Sequence, residues 1–205
     1  MKRLLLLGLV SLFVCGTAVA DVPDPDLSGT GWDSVGDGTT AFMSPSAATT
    51  GLGSVSDDVL ITVLNNVGIG IGGSDVVIDV SGCVDLCLDP GGDGSAGLTG
   101  VTAGDGTVTL NPRVGGCETC TILVRASGVT IATYSEVHST DWNSAAGPAD
   151  GTVGGPDFAF FAAAFNVTQD DCADYDNNET VGGPDLAVFA ASFNLDAGTQ
   201  GACQP

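Results

Sequence analysis

Counting back from Asp185, the segment "DYDNNETVGGPD" sets Asp174, Asp176, Asn178, Thr180, Gly182 and Asp185 at positions 1, 3, 5, 7, 9 and 12 of a twelve-residue loop. That spacing lets a tight loop turn hard oxygen donors onto one calcium ion. Asp174, Asp176 and Asn178 are the expected side-chain donors, Thr180 offers its backbone carbonyl, and Gly182 leaves room for a water. Asp185 closes the shell from the first turn of a following helix. A second set lies upstream: Asp150, Gly151, Thr152, Val153 and Asp157 fall on positions 5, 6, 7, 8 and 12, and Asp141 and Asn143 take positions 1 and 3. Here "SAAGPA" stands where the other copy has only Asn177. The insertion keeps the donor types and adds little closure entropy, but its donors are harder to gather. Each set supplies three carboxylates, so the regularly spaced second loop is the tighter expected site.

The copies agree at 12 of the 15 positions that run from Thr152 to Asn166 and from Thr180 to Asn194, more than two unrelated Asp/Asn turns would share. Beyond each loop an apolar face recurs at helical spacing: Phe158, Phe161, Ala162 and Phe165, then Leu186, Phe189, Ala190 and Phe193. Pro156 and Pro184 sit where a first helical turn tolerates proline. Helices of about ten residues are marginal alone, so the two are expected to pack on each other.

This pair of loop–helix units, with Asp at position 12 and no helix entering either loop, resembles the dockerin family of tandem EF-hand-type calcium loops over residues 139 to 196. The resemblance implies calcium-dependent folding, a pseudo-twofold pair of units, and docking onto a cohesin-like or other cell-surface protein. The sequence departs from that pattern twice. Glu179 holds position 6, where glycine eases the sharp turn. Positions 10 and 11 read Gly155-Pro156 and Gly183-Pro184, and neither helix has the Lys or Arg with which many dockerins engage cohesin.

The elements before the loops are of another kind. "DVLITVL", "SDVVIDVSG", "GTVTLNP", "CTILVRASG" and "VTIATYSEV" are β-branched runs, several alternating apolar and polar residues, separated by the turn signals "NNVG", "GGS", "AGDG" and "ASG". Strands at this spacing without intervening helix predict an all-β sandwich. Their order over residues 38 to 137 resembles bacterial immunoglobulin-like modules, which implies a spacer or adhesion role. The expected fold is therefore mostly β, an immunoglobulin-like β-sandwich followed by a small α-helical dockerin-like domain. The divisions are a signal peptide (1–20), a Gly/Ser/Thr-rich segment (21–53) in which only "TTAFMS" has strand character, the sandwich (54–138) and the calcium-loop domain (139–205).

The first twenty residues carry Lys2 and Arg3, an apolar run from Leu4 to Val14 and the small-residue end Ala18-Val19-Ala20, the pattern of a secretory signal cut after Ala20. Lipidation at Cys15 is disfavoured by the bulk of Val14. The chain is expected to be secreted or held at the cell surface. A net charge of −21, with Arg113 and Arg125 the only strong bases beyond Arg3, repels nucleic acid and anionic lipid and favours cations. Hydrophobic residues make up 43% of the chain and mean hydropathy is +0.33, so a core can form. No stretch after the leader is long enough to insert in a membrane.

Cysteines 83, 87, 117, 120, 172 and 203 follow the leader. In an exported chain they suggest disulfides. Cys83 with Cys87, Cys117 with Cys120 and Cys172 with Cys203 is the expected pairing, crossing between the first two pairs is an alternative, and zinc held by "CVDLC" and "CETC" is another. "NVT" at 166 and "NET" at 178 match a glycosylation pattern that the ligand role of Asn178 makes coincidental. His138 is the only histidine and no nucleophile motif flanks it, so a hydrolase ranks low and a solvated place near the junction is expected. Carbohydrate binding on the sandwich has little stacking material, since Trp32 and Trp142 are the only tryptophans and both lie outside the main strands. The expected function is non-catalytic: calcium binding by a tail used for docking, surface attachment or structural capping.

Overall fold

The computed structural model describes residues 22–34, 38–43, 58–88, 96–142, 149–166 and 172–193. The leader, Cys15, Asn143 and Cys203 lie outside the described residues. The chain is mostly β. In order, the described elements are β1 (Gly29–Thr30), a 3-10 turn (Gly31–Ser34), β2 (Thr40–Phe42), β3 (Val59–Thr62), β4 (Asp75–Asp79), β5 (Cys87–Leu88), β6 (Thr99–Val101), β7 (Thr107–Leu110), β8 (Val114–Gly115), β9 (Glu118–Ala126), β10 (Val129–His138), α1 (Gly155–Ala164) and α2 (Gly183–Ser192).

The larger sheet is centred on the hairpin of β9 and β10. Its turn is Ser127-Gly128, both at positive φ (46° and 84°), the conformation whose twist matches that of the flanking strands. β4 pairs antiparallel with β9 on the far side, β6 adds to β4, and β2 pairs parallel with β10, giving the order β2-β10-β9-β4-β6. Alternation carries Val76 and Ile78, then Ile122, Val124 and Ala126, into the core. On β10 the core residues Ile131, Tyr134 and Val137 are three apart, because register shifts after Thr130 and Tyr134 move the phase, and His138 at the strand end is buried as well.

A second sheet, β1-β3-β7, presents Val59 and Ile61 to the same core, and the short pair β5-β8 lies beside it. The Gly/Ser/Thr-rich segment before residue 54, in which the sequence shows strand character only at "TTAFMS", contributes here as well. β1 pairs with β3, Trp32 is 2% exposed, and its ring meets Tyr134 edge-on at 5.3 Å. Thr30 Oγ1 and the Tyr134 hydroxyl share a hydrogen bond. Gly- and Asp-rich composition reads as loop, but one indole filling core volume orders its neighbours.

α1 and α2 build a second core. It holds Val153, Phe161, Ala164, Ala173, Tyr175, Val181, Val188 and Phe189, and also Phe42 of β2. Ala41 and Met43 face the first core while Phe42, on the opposite pleat, enters the second. The helices do pack together, with Phe161 and Phe189 stacked at 5.2 Å. The buried stripe differs from the expected one: Ala164 and Val188 are inside, Ala162 and Ala190 are exposed, and Phe158, Phe165, Leu186 and Phe193 are 36–48% exposed. The helical face rotates because it covers Tyr175 and Phe42 as well as its twin.

The expected disulfide pairing is also corrected. Cys83 bonds Cys120, which is one of the crossed arrangements, and Cys117 bonds Cys172. The second bond joins β8's neighbour to the loop region and excludes both Cys117–Cys120 and Cys172–Cys203. Cys87 is disulfide-bonded too, so none of the four thiols considered for zinc is left as a thiolate donor.

Candidate metal centre

Both acidic loops are drawn tight by backbone N–H groups that converge on carboxylates. In the second loop, Asp185 Oδ1 accepts from Tyr175 N at 2.7 Å and Asp176 N at 3.2 Å, while Oδ2 accepts from Gly182 N at 2.8 Å. Gly182 is the residue that caps α2. Asp185 therefore fastens the helix start and folds the beginning of the loop over it. Asp174 Oδ1 accepts from Asn178 N at 3.0 Å. The chain turns through Asn177 and Glu179 at φ 49° and 67°. Side-chain oxygens of Asp174, Asp176 and Asp185 end within 4.8 Å of one another, Asp174 and Asp185 buried and Asp176 partly so. Asn178 and Thr180 are exposed at the mouth of the loop.

The first loop repeats the scheme. Asp141 Oδ1 accepts from Asp150 N at 3.1 Å and Oδ2 from Gly151 N at 2.8 Å. Asp157 Oδ2 accepts from Gly154 N at 2.8 Å, the cap of α1. Gly151 takes the positive φ, 83°, that Glu179 takes in the other copy. Asp141 and Asp157 are buried. Asp150 is exposed and its Oδ1 accepts from Thr152 N at 3.0 Å, while its charge still acts on Asp141 and Asp157. Among the described residues only the second loop draws three carboxylates into one cluster; Asn143 of the first lies outside them.

Burial without a matching positive charge disfavours carboxylates. Burial, aided by the charges of Asp157 and Asp150 and opposed by the N–H groups of Gly151 and Asp150, pushes Asp141 up to about 7. Asp157 and Asp185 are raised, chiefly by burial. Asp176 is raised by burial and then by the charges of Asp185 and Asp174. Two oxygens, Asp157 Oδ1 and Asp176 Oδ1, are buried with no hydrogen-bond partner. Clustered acceptors with orphan oxygens and raised affinities for a proton are what a hard, oxygen-seeking cation fits. Such an ion would be held by Asp174, Asp176 and Asp185, joined by Asn178 and Thr180, and in the first loop by Asp141 and Asp157.

His138 was expected to be solvated, yet it is 3% exposed. Its Nδ1 lies 2.8 Å from the carbonyl oxygen of Asp174, and its Nε2 3.5 Å from Glu136 Oε2. Gly115 and Gly116 belong to the surroundings of the first loop: Gly116 N donates to Asp141 O at 2.8 Å, and a Cβ on Gly115 would strike the Asp141 carboxylate. Nothing in the local sequence marks these residues, which reach the loops only through sheet topology. A third group, Cys83, Glu118 and Cys120, is accounted for by the Cys83–Cys120 bond and by Glu118 accepting from the N–H groups of Val84 and Asp85. Compared with known proteins, the chain matches no family model, no curated protein and no solved structure.

Proposed function

We propose that this is an exported, non-catalytic calcium-binding protein, an immunoglobulin-like β-sandwich followed by a dockerin-like tail whose two loops each take an ion. The observation that carries the reading is the pair of buried, unpartnered carboxylate oxygens, one in each loop, set among like charges. Calcium, when bound, supplies the positive charge those carboxylates lack. The chain's own residues do the rest: backbone N–H groups aim the acids, and Asp157 and Asp185 tie each loop to a helix. The half-exposed rim of Phe158, Phe165, Leu186 and Phe193 supports docking onto a cohesin-like or other cell-surface protein over capping alone. Trp32, buried in the β core, has no face to offer a sugar.

Isothermal calorimetry of the whole chain tests the reading. Two binding phases are expected in the weaker extracellular range, roughly 10⁻⁶ to 10⁻³ M. No heat at millimolar calcium would sink it.

A further inference from the structure

We propose that the β module forms part of both metal loops, with His138 and Gly115 as positioning residues, so that cation binding in the tail and stability of the β module are one cooperative property. The inference rests on the calcium reading above. Position 1 of each loop is gripped from the sheet. The Asp174 carbonyl accepts from His138 Nδ1 at 2.8 Å, which fixes the proton on that nitrogen, because a carbonyl can only accept. His138 is itself locked: it pairs with Phe42 in the β2–β10 ladder, and its own carbonyl accepts from Met43 N at 3.0 Å. The Asp141 carbonyl accepts from Gly116 N, and the missing Cβ of Gly115 is the space in which the Asp141 carboxylate lies; a methyl there would also come within 2.7 Å of Ala149 Cβ.

Two further links join the same places. Cys117, next to Gly116, is bonded to Cys172, two residues before Asp174. Phe42, from the strand beside His138, packs edge-on against Tyr175 at 5.9 Å, and the N–H of Tyr175 holds Asp185. A shift of the sheet therefore moves the first ligand of each loop, and drawing the ligands together pulls on β2, β8 and β10. A peripheral tail on a flexible linker has none of these contacts.

Calcium calorimetry and thermal unfolding of the full chain test this, in a Trp142→Phe background that serves as the wild type, so that tryptophan fluorescence reports Trp32 of the β core alone. His138→Asn keeps a donor near the Nδ1 place; His138→Leu removes it. The wild type and the Asn variant should bind alike, and the Leu variant should lose about fivefold in one phase, the weight of one net hydrogen bond. Gly115→Ala should weaken the other phase. In the wild type, calcium a hundredfold above its dissociation constant should raise the β-core transition by about 5–10 °C. Binding heat with an unmoved β-core transition, or equal affinities for the Leu and Asn variants, overturns the coupling and leaves calcium binding standing. No heat from the wild type overturns both. If the Leu variant does not fold, Gly115→Ala and the wild-type shift decide.

Discussion

At one loop position the two copies differ in residue but not in backbone: Gly151 has φ 83° and Glu179 φ 67°. Glycine reaches that region freely, whereas a side chain there costs about 1 kcal/mol, partly offset by the greater freedom glycine has when unfolded. Glu179→Gly is therefore expected to stabilise the protein by about 0.5–1 kcal/mol, and Gly151→Ala to destabilise it by a similar amount. Chemical denaturation in calcium reads both, with Glu179→Gln separating backbone from charge; a Gly variant no more stable than the Gln variant would refute the strain argument. The closing aspartates permit a second comparison. Asp185 belongs to the three-carboxylate cluster, while Asp157 has only Asp141 as a buried companion and closes a loop lengthened by "SAAGPA". Asp185→Asn should abolish the tighter calorimetric phase and Asp157→Asn the weaker one. The reverse assignment would show that regular spacing does not decide affinity here.

At the scale of elements, alternation in "DVLITVL", "SDVVIDVSG" and "CTILVRASG" and the turn residues between them made β3, β4 and β9 legible, and the doubled "GGPD" marked both helix starts. β1, β5, β6 and β8 are two or three residues long and carry no period to read; β1 and β6 add to the edges of the longer β3 and β4, while β5 and β8, among the described residues, pair only with each other. The helical stripe was legible only to within a rotation, since spacing gives a face but not what that face must cover. Phe161 lies between Phe189, stacked at 5.2 Å, and Tyr175, stacked at 6.1 Å, whereas Phe158 is 48% exposed. Phe161→Ala should cost about 3–5 kcal/mol in urea unfolding, and Phe158→Ala about 1 kcal/mol or less. Equal losses would mean that the two rings share one buried environment, contrary to the packing described.

For the whole molecule, the acidic residues of the two loops and their spacing are readable in the chain, but the grip of the sheet on the loops is not. His138 meets Asp174, and Cys117 bonds Cys172, across long sequence separations closed by the fold, with Phe42 of β2 packed on Tyr175 beside them. The acid burial built by that arrangement has a consequence for pH. Asp141 titrates at about 7 in the folded chain against an ordinary 3.8, mainly through burial, and Asp157, Asp176 and Asp185 shift the same way. A raised carboxylate pKa means that the folded state holds the proton longer than the unfolded state does. Stability from this source is complete below about pH 4 and is lost as pH climbs to about 7. Mutual repulsion within a chain of net charge −21 acts in the same direction. In chelator the melting temperature should therefore fall between pH 4.5 and 7. Calcium requires the deprotonated acids, so its affinity should rise over that interval, and in millimolar calcium the fall should be flattened or reversed. Melting curves at matched pH, with chelator and with calcium, check this: the gap between them should widen as pH rises, and a constant gap would mean that the buried acids are not the groups the cation meets.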